Sequence, residues 1–247
     1  MADGSARDVD GASLVGSERE VYVRTMFDRI AEPYDALNRI ISGGRDQAWR
    51  RRALKEAGVA HGMRVVDLGC GTGDFARDAA VATGPGGRVV GIDLSEGMLA
   101  VARRKLADAG VSNAEVRIGN AQDTGLPDGW ADVVTMGWVL RNVGDRPATY
   151  REIRRILRPG GRVAVLDCSN PSSAVVRAGF RAYLRWVMPW AVRLRGGDRS
   201  AYRYLADSTL GFLTPEALSA ELAAAGFERI RVRRFLMGAI ALHVATR

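Results

Sequence analysis

Residues 64–74 read Arg-Val-Val-Asp-Leu-Gly-Cys-Gly-Thr-Gly-Asp, an apolar run that breaks into three glycines separated by single residues. The pattern predicts a strand, a tight turn and the start of a helix. Gly69, Gly71 and Gly73 can adopt positive φ and carry no Cβ, so a ligand can approach the backbone, and the helix start offers free N–H groups. The stretch predicts a ligand-binding turn of an α/β fold, or a turn alone.

The spacing of these glycines separates two kinds of cofactor. Dinucleotide-binding turns use G-x-G-x-x-G to seat a pyrophosphate, whereas this chain has G-x-G-x-G. The tighter turn is the one expected for S-adenosylmethionine. A second run, 88–93, ends in Asp93, whose carboxylate can accept hydrogen bonds from both hydroxyls of a ribose. The alternative role for Asp93 is a helix N-cap, but Ser95 is better placed for it.

Composition indicates one large α/β domain, because 247 residues that are 47% apolar can bury a full core. We expect a disordered tail over 1–17 and a single domain over 18–247. No apolar run approaches the ~20 residues of a membrane span, and the polar first residues do not resemble a secretion signal. Cys70 and Cys168 lack metal-like spacing, so we expect a cytoplasmic protein with packed thiols and no metal.

The chain is strongly basic, with a net charge of +8 and a pI of about 10.1. Such a balance indicates nucleic acid, an anionic membrane surface or no specific partner. Arginine dominates between residues 141 and 203, so any basic partner surface is expected in the second half of the chain.

Strand-like and helix-like runs alternate along the chain, which is the rhythm of a mostly parallel sheet. The predicted strands are 64–68, 88–93, 114–118, 132–137 and 161–167, and the predicted helices are one from Ser17, 46–58, 74–83, 95–109 and 146–158. Two further strands, 228–236 and 239–245, are joined by a short turn that forces antiparallel pairing. We therefore expect a seven-stranded sheet that ends in an antiparallel hairpin.

Two segments are predicted to add lid helices to this sheet: the N-terminal helices over 18–60 and an insertion over 172–212 that is too long for a plain connection. Within the insertion, residues 174–194 predict a basic amphipathic helix that ends near Pro189. One narrow face carries Arg177, Arg181 and Arg185, and apolar residues cover the rest. The helix is either a lid packed on its own domain or a membrane-surface helix.

Ligands of open α/β sheets bind at the carboxyl ends of the strands, which gives a short list of site residues. Asn120 and Ala121 follow the third predicted strand and suit an adenine, although Asn120 can also be a turn residue. Arg141 and Asn142 follow the fourth strand, beside the expected methyl group. We interpret this polar pair as functional rather than structural.

Methyl transfer from a sulfonium demands mainly a positioned, electron-rich acceptor. A phenolic acceptor has a pKa of ~10, so its ionisation near pH 7.5 costs roughly 3–4 kcal/mol. Arg141 cannot act as a base, because guanidinium groups stay protonated. We assign it to the stabilisation of a developing phenolate in a dry pocket, with a water or a tyrosine relaying the proton.

Further motifs extend over residues 20–247. They are Tyr-Asp-Ala-Leu-Asn at 34–38 with Ser42, Gly44 and Trp49, Arg-Ile-Leu-Arg-Pro-Gly-Gly at 155–161 with Leu-Asp-Cys-Ser at 166–169, Leu-Arg-Asn-Val at 140–143, the run 200–208, Ala-Gly-Phe at 225–227 and Ala-Leu-His at 241–243. Together they resemble the ubiquinone/menaquinone biosynthesis C-methyltransferases. The resemblance implies a class I S-adenosylmethionine-dependent methyltransferase fold and a lipophilic prenylated quinol, methylated on a ring carbon next to a hydroxyl.

The resemblance also implies site residues. Thr72, Asp93, Asn120 and Ala121 are implied as cofactor contacts, and Tyr34 as an acceptor contact or a helix-packing tyrosine. His243 is expected either to line the pocket or to be a structural histidine.

The chain departs from the family pattern at four positions. Asp46 and Gln47 stand where the family usually has His and Arg, Gly137 replaces a cofactor-contacting serine, and Val139 replaces a glycine of the acceptor loop. An added side chain can change which ring fits. The alternative function is therefore methylation of another aromatic small molecule of a specialised pathway.

Other classes of function are less well supported by the residues. Base methyltransferases usually carry Asn/Asp-Pro-Pro-aromatic after the fourth strand, where this chain has Leu-Arg-Asn-Val at 140–143, and no strand presents interleaved aromatics for stacking bases. We expect no nucleic-acid partner. A cofactor-binding protein without catalysis, a homo-oligomer and contact with the inner face of a membrane all stay open.

Overall fold

The computed structural model describes residue 14 and residues 16–188 and 199–247. Most of the tail predicted over 1–17 and the segment 189–194 of the predicted basic helix lie outside the described residues. None of the described helices is both long and apolar enough to cross a membrane.

The centre of the fold is one seven-stranded sheet with strand order β3-β2-β1-β4-β5-β7-β6. Its strands are β1 (Arg64–Leu68), β2 (Arg88–Asp93), β3 (Ala114–Ile118), β4 (Ala131–Gly137), β5 (Leu157–Cys168), β6 (Glu228–Phe235) and β7 (Ile240–Thr246). The first five strands pair in parallel, and β7 inserts antiparallel between β5 and β6. The predicted sheet with its antiparallel hairpin is confirmed, although β5 begins at Leu157 instead of residue 161.

The described helices flank this sheet and cover one of its ends. They are α1 (Gly16–Ile30), α2 (Tyr34–Ser42), α3 (Asp46–Ala57), α4 (Asp74–Thr83), α5 (Glu96–Asp108), α6 (Arg146–Ile156), α7 (Ala174–Ala182), α8 (Arg199–Leu210) and α9 (Pro215–Ala224). Helix α2 was not predicted as a helix. Pro33 precedes this helix, and Gly43, with φ of 60°, follows it. Both residues are typical of helix boundaries.

The sheet is buried on both faces because successive strand residues point to opposite sides. In β1, Val66 belongs to the core cluster that contains Met136 and Ile153, whereas Val65 belongs to the cluster that contains Trp49 and Phe75. The paired ends of β1, β2 and β4 lie level, with Leu68 opposite both Ile92 and Met136. The loops after these strands therefore meet at one edge.

The N-terminal and insertion helices form two smaller clusters at that edge. Met26 and Ile30 of α1 pack with Met98 of α5 and Tyr204 of α8, and Leu37 of α2 is buried in a cluster with Leu184, Met188 and Tyr202. Val21 of α1 is 53% exposed and lies outside this cluster.

Helix α7 continues as a π-helical turn, Tyr183–Val187. Leu184 and Met188 are buried, while Arg181, Arg185 and Trp186 face outward. The inward face packs on the protein's own domain, as the lid interpretation predicts. Of the predicted arginine stripe, Arg181 and Arg185 are exposed, whereas Arg177 is half-buried and donates to the carbonyl of Pro171 at 3.2 Å.

Candidate active site

The glycine turn has the backbone that its spacing predicts. Gly69, Gly71 and Gly73 have φ values of 64°, 53° and 80°, a region that side chains with a Cβ rarely adopt. The amide of Gly71 donates to Asp93 Oδ2 at 2.8 Å, and Asp93 Oδ1 accepts from the amide of Ser95 at 2.9 Å. Asp93 thus holds the turn after β1 against the loop after β2.

The predicted helix cap at Ser95 is confirmed, because Ser95 Oγ accepts from the amide of Met98 at 3.1 Å. This leaves the Asp93 side chain at the turn rather than in a capping role.

Three adjoining cavities meet at this edge of the sheet. The turn cavity is lined by residues 69–72 with Asp67 and Asp74. The Asp93 cavity is lined by Asp93, Asn120, Ala121 and Asn142. The large cavity, of about 860 Å³, is lined mainly by apolar side chains of α1, α2, α7 and α8. Tyr34, Arg50 and Trp138 line both the turn cavity and the large cavity. Gly69 lines both the turn cavity and the Asp93 cavity.

Asp67, at the end of β1, is a carboxyl that the sequence argument did not single out. It is 1% exposed, Thr135 Oγ1 donates to its Oδ1 at 2.7 Å, and its Oδ2 is buried without a partner. Burial raises the pKa of Asp67 to about 7. A cationic group in the turn cavity would supply the missing partner.

Charged side chains that are linked by hydrogen bonds surround Thr72. The Thr72 hydroxyl donates to Asp35 at 2.6 Å, and Lys105 Nζ bridges Asp35 and Asp74 at 2.6 and 2.5 Å. Asp74 also accepts from Arg50 at 3.2 Å. The hydroxyl of Thr72 is thus engaged within the protein, and the network joins α2, α3, α4 and α5 around the glycine turn.

Of the two roles predicted for Asn120, the structure shows the turn, and the adenine contact stays a prediction. Its Oδ1 accepts from the amide of Gln122 at 2.9 Å, which closes a turn, and its Nδ2 donates to Glu20 of α1 at 3.3 Å. Asn120 and Ala121 line the Asp93 cavity with Glu20. Helix α1 therefore covers the place predicted for an adenine.

Arg141 and Asn142 lie in a short 3₁₀ turn after β4, but they line different cavities. Arg141 is 6% exposed and forms an ion pair with Asp167 at 2.6 Å, and its Nη1 also donates to the carbonyl of Trp138 at 2.8 Å. Burial opposes the charge, yet the Asp167 carboxylate raises the pKa of Arg141 above its usual range.

Asn142 accepts from the hydroxyl of Tyr204 at 3.1 Å and lines the Asp93 cavity. Among the described residues that line the large cavity, Arg141 is present and Asn142 is not. The polar pair expected at one point is thus divided between two cavities.

Trp138 is a site residue that the sequence argument missed. Its φ of 60° is unusual for a residue with a side chain, and such strain concentrates at functional sites. The Arg50 guanidinium lies 4.8 Å from the centroid of the Trp138 ring. The indole therefore forms part of the wall between the turn cavity and the large cavity.

Two further predicted residues have clear positions. Tyr34 lines the turn cavity and the large cavity and also packs edge-on against Phe27 at 5.8 Å, so it is both a cavity residue and a packing residue. Burial raises the pKa of Tyr34. His243 is 1% exposed and contacts the carbonyl of Pro215 at 2.9 Å through Nε2, which makes it a structural histidine of β7.

The departures at Gly137 and Val139 lie on the side of the smaller cavities. A Cβ added at Gly137 would lie 2.9 Å from Phe75 Cδ2, and a Cβ at Gly69 would lie 2.2 Å from Val139 Cγ2. Val139 lines the Asp93 cavity and Gly137 the turn cavity. Of the four departures, Asp46 is the one that lines the large cavity.

The described residues contain no cluster of His, Cys, Asp and Glu suited to hold a metal ion.

Comparison with known proteins gives concordant results. The model of the ubiE/COQ5 methyltransferase family matches residues 15–247. A demethylmenaquinone methyltransferase of Symbiobacterium thermophilum is 39% identical over 236 residues, which covers 93% of this chain and 94% of that protein. A Staphylococcus aureus protein of the same name is 38% identical, with 90% and 91% covered.

Solved structures agree on the fold. A SAM-dependent methyltransferase from Aquifex aeolicus superposes with a TM-score of 0.61 at 20% identity, over 86% of this chain and 96% of that chain. Another from Thermotoga maritima gives a TM-score of 0.64 at 20% identity, over 90% and 98%. At this identity the likeness concerns the fold alone.

The Arg141–Asp167 pair yields a stability prediction. We expect Asp167→Asn to lower the free energy of unfolding by about 3–5 kcal/mol, because it leaves a buried guanidinium uncompensated. Urea unfolding followed by circular dichroism measures the change. The control Glu96→Gln breaks the exposed pair with Arg103 and should leave the free energy of unfolding nearly unchanged, because solvent screens exposed pairs. Equal losses in the two variants would contradict this role of the buried pair.

Proposed function

This chain belongs to the ubiE/COQ5 methyltransferase family, and from that premise we propose that it methylates a ring carbon of a demethylmenaquinol-like quinol, with S-adenosylmethionine as methyl donor, in respiratory quinone biosynthesis. The observation that carries the proposal is the large apolar cavity of about 860 Å³ that joins the glycine turn at Tyr34, Arg50 and Trp138. A fused aromatic ring with an isoprenoid tail needs such a volume next to the methyl donor.

The turn cavity and the Asp93 cavity fit the methyl donor. When bound, S-adenosylmethionine supplies a methyl group on a sulfonium and leaves as a neutral thioether. Asp93 and Asn120 would hold the ribose and the adenine, beside Ala121. The unpartnered Oδ2 of Asp67 suits the ammonium of the methionine end, since a buried carboxylate without a partner favours a cation.

The large cavity fits the acceptor. Nη1 of Arg141 donates to both the Asp167 carboxylate and the Trp138 carbonyl. Because a guanidinium has further N–H donors, Arg141 can still donate to a developing phenolate. The apolar lid helices would exclude water, which strengthens this interaction. Asn142 would act as a positioning residue through Tyr204, because it does not line this cavity in the described structure.

The departures at Gly137 and Val139 favour a quinol over an unrelated acceptor. Both adjoin the smaller cavities, so they alter the donor side and leave the acceptor side unchanged. A ring from a specialised pathway would instead call for new side chains in the large cavity, where Asp46 is the one departure.

We also propose that the mouth of the large cavity docks on an anionic membrane surface. Several residues line the cavity and are also well exposed, which places them at its mouth: Ile40 (37%), Val175 (82%), Leu236 (43%) and Met237 (79%). Exposed Arg181, Arg185 and Trp186 of the α7 segment lie on the neighbouring surface. Apolar residues flanked by arginine suit the boundary between headgroups and acyl chains, from which a lipophilic quinol would enter.

For the methyl donor, Asp93→Ala should weaken S-adenosylmethionine binding by roughly 2–3 kcal/mol, the scale for the loss of charge-assisted hydrogen bonds. Titration calorimetry measures the affinity. Glu115→Gln neutralises an exposed carboxylate of the neighbouring strand and should leave the affinity unchanged. An unchanged affinity in Asp93→Ala would remove the ribose assignment.

For the acceptor, reduced demethylated naphthoquinol should react and the oxidised quinone should not, because only the electron-rich ring is a carbon nucleophile. Arg141→Lys keeps a positive charge beside Asp167 and should lower kcat on the order of a hundredfold while preserving donor affinity. Mass spectrometry identifies the product. Equal turnover of quinone and quinol, or methylation on oxygen, would defeat the proposal in favour of another aromatic acceptor.

For the membrane surface, flotation with vesicles should show binding to anionic lipid that decreases with salt, at about 1 kcal/mol per basic residue. The double variant Arg181→Gln/Arg185→Gln should bind less than the matched double variant Arg103→Gln/Arg104→Gln of α5. Equal binding to neutral and anionic vesicles would rule out the docking surface.

A further inference from the structure

Asp46 is the acidic residue of the large cavity. It begins α3, is 3% exposed and lines the cavity wall. Among the described residues that line this cavity, it is the only one with a carboxyl or imidazole side chain. Asp46 is also one of the positions at which the sequence is expected to depart from the family pattern.

The other titratable groups of the cavity are poor proton acceptors. Burial raises the pKa of Tyr34, Tyr183 and Tyr204, so these phenols stay protonated at neutral pH. Tyr202, the fourth tyrosine of the lining, likewise offers a phenol and not a carboxylate. Burial also raises the pKa of the Cys168 thiol. The arginines cannot accept a proton. A proton released inside this cavity therefore has one acceptor among the described side chains.

Asp46 also lies close to the point where the cavities meet. Its Oδ2 accepts from Arg50 Nη1 at 2.7 Å, and Arg50 lines both the turn cavity and the large cavity. The Arg50 guanidinium stacks on the Trp138 ring at 4.8 Å, and the Trp138 carbonyl accepts from Arg141 at 2.8 Å. Asp46 is thus linked by short contacts to the residues at which methyl donor and acceptor would adjoin.

The carboxylate of Asp46 has room for one more donor. Its Oδ1 accepts from Ser42 Oγ at 2.9 Å and its Oδ2 accepts from Arg50. Each carboxylate oxygen has two lone pairs, so both oxygens keep acceptor capacity toward the cavity.

Resting on the proposed function, we propose that Asp46 is the general base that takes the hydroxyl proton of the acceptor ring during methyl transfer. The ring carbon next to the hydroxyl forms a bond to the methyl carbon as the carbon–sulfur bond breaks, and that electron pair stays on sulfur. The O–H electron pair becomes the second bond of a ketone, and the proton moves to Asp46.

The ring is then restored by a second proton movement. After release from the cavity, the ketone loses the hydrogen on the methylated ring carbon to water and gains a proton on oxygen from water, while Asp46 returns its proton to the solvent. The net products are the methylated quinol, the neutral thioether and one proton.

A carboxylate is a strong enough base for this step because the proton is transferred while the carbon–carbon bond forms. A free phenol has a pKa of ~10, so complete ionisation before methyl transfer would be unfavourable. As the new carbon–carbon bond forms, the hydroxyl acquires the character of a protonated ketone, which is a far stronger acid. A positioned base then accepts the proton in the transition state.

The rival explanation is that Asp46 only anchors Arg50. Asp74 provides the matched comparison, because it also accepts from Arg50, at 3.2 Å, but it lines the turn cavity and not the large cavity. Removal of either carboxylate loosens Arg50. Only removal of Asp46 also removes a base from the acceptor cavity.

The kinetic test uses the full-length protein, S-adenosylmethionine and reduced demethylated naphthoquinol. Asp46→Asn should lower kcat on the order of a hundredfold or more, the usual contribution of a general base, with a KM for the donor no more altered than in Asp74→Asn. In Asp46→Asn, kcat should no longer fall toward low pH. In Asp74→Asn, this fall of kcat should remain. Asp46→His should recover part of kcat with this fall moved to higher pH, because an imidazole loses its proton at higher pH than a carboxyl.

The pH profile has to be interpreted with the charged and titratable groups around Asp46. Those on its own segment are Arg45 and Arg50, and those on other elements are Asp74 beyond Arg50, Arg141, Cys168 and the cavity tyrosines Tyr34, Tyr183, Tyr202 and Tyr204. The Asp46→Asn and Asp46→His variants keep all of these groups, and Asp74→Asn keeps all of them except Asp74, so a change of profile seen only in the Asp46 variants isolates the carboxylate of Asp46.

A binding test without the methyl donor decides the same point independently. A non-reactive naphthol should quench tryptophan fluorescence on binding, with an affinity that falls toward low pH in the wild type and in Asp74→Asn but not in Asp46→Asn. The same pH dependence in Asp46→Asn, or an unaltered pH–kcat profile, would overturn the assignment. If the wild type fails to methylate the quinol while naphthol binding keeps its Asp46-dependent pH profile, the proposed function fails and the proton-accepting role of Asp46 stands.

Discussion

The architecture of the site depends on how the glycine turn is fastened to the end of β2. The amides of Gly69 and Cys70 donate to the carbonyl of Ile92 at 2.7 and 3.1 Å, and the amide of Gly71 donates to the Asp93 carboxylate. Three consecutive backbone donors are thus used by one strand end. Because β1, β2 and β4 end level with one another, this attachment also sets where the loops after β3 and β4 approach.

Around that attachment, buried charge holds the covering helices in place. Lys105 and Arg50 each join two carboxylates, and their partners come from α2, α3 and α4. The Arg50 pairs are buried, whereas the Lys105 side chain is 20% exposed. A buried pair adds little net stability over an apolar replacement, but removing one member is costly because the other is left uncompensated. The network therefore favours one arrangement of the helices over the turn, and with it one shape of the cavities.

The division between donor side and acceptor side follows from the loop after β4. Trp138, in a left-handed conformation, directs its ring to the boundary between the turn cavity and the large cavity, while Arg141 turns to the ion pair with Asp167 and Asn142 to Tyr204. The side chains of Trp138, Arg141 and Asn142 thus point to different parts of the site. The loop couples the two sides of the proposed reaction without belonging wholly to either.

The sequence by itself determined the elements and the cofactor turn. Strands 64–68, 88–93 and 114–118, the cap at Ser95 and the positive φ of the glycines follow from local patterns, since hydrophobic period and glycine spacing act within a few residues. The short helix α2 was not predicted, because nine residues give too little hydrophobic periodicity and its boundaries depend on Pro33 and Gly43.

The tertiary structure alone decided which side chains meet. The pairing of Arg141 with Asp167, the stacking of Arg50 on Trp138 and the placement of Asp46 in the acceptor cavity join residues from separate elements. Such contacts depend on strand order, register and burial, which no local pattern encodes, because a buried charge takes its partner from whatever element the fold brings within hydrogen-bond distance.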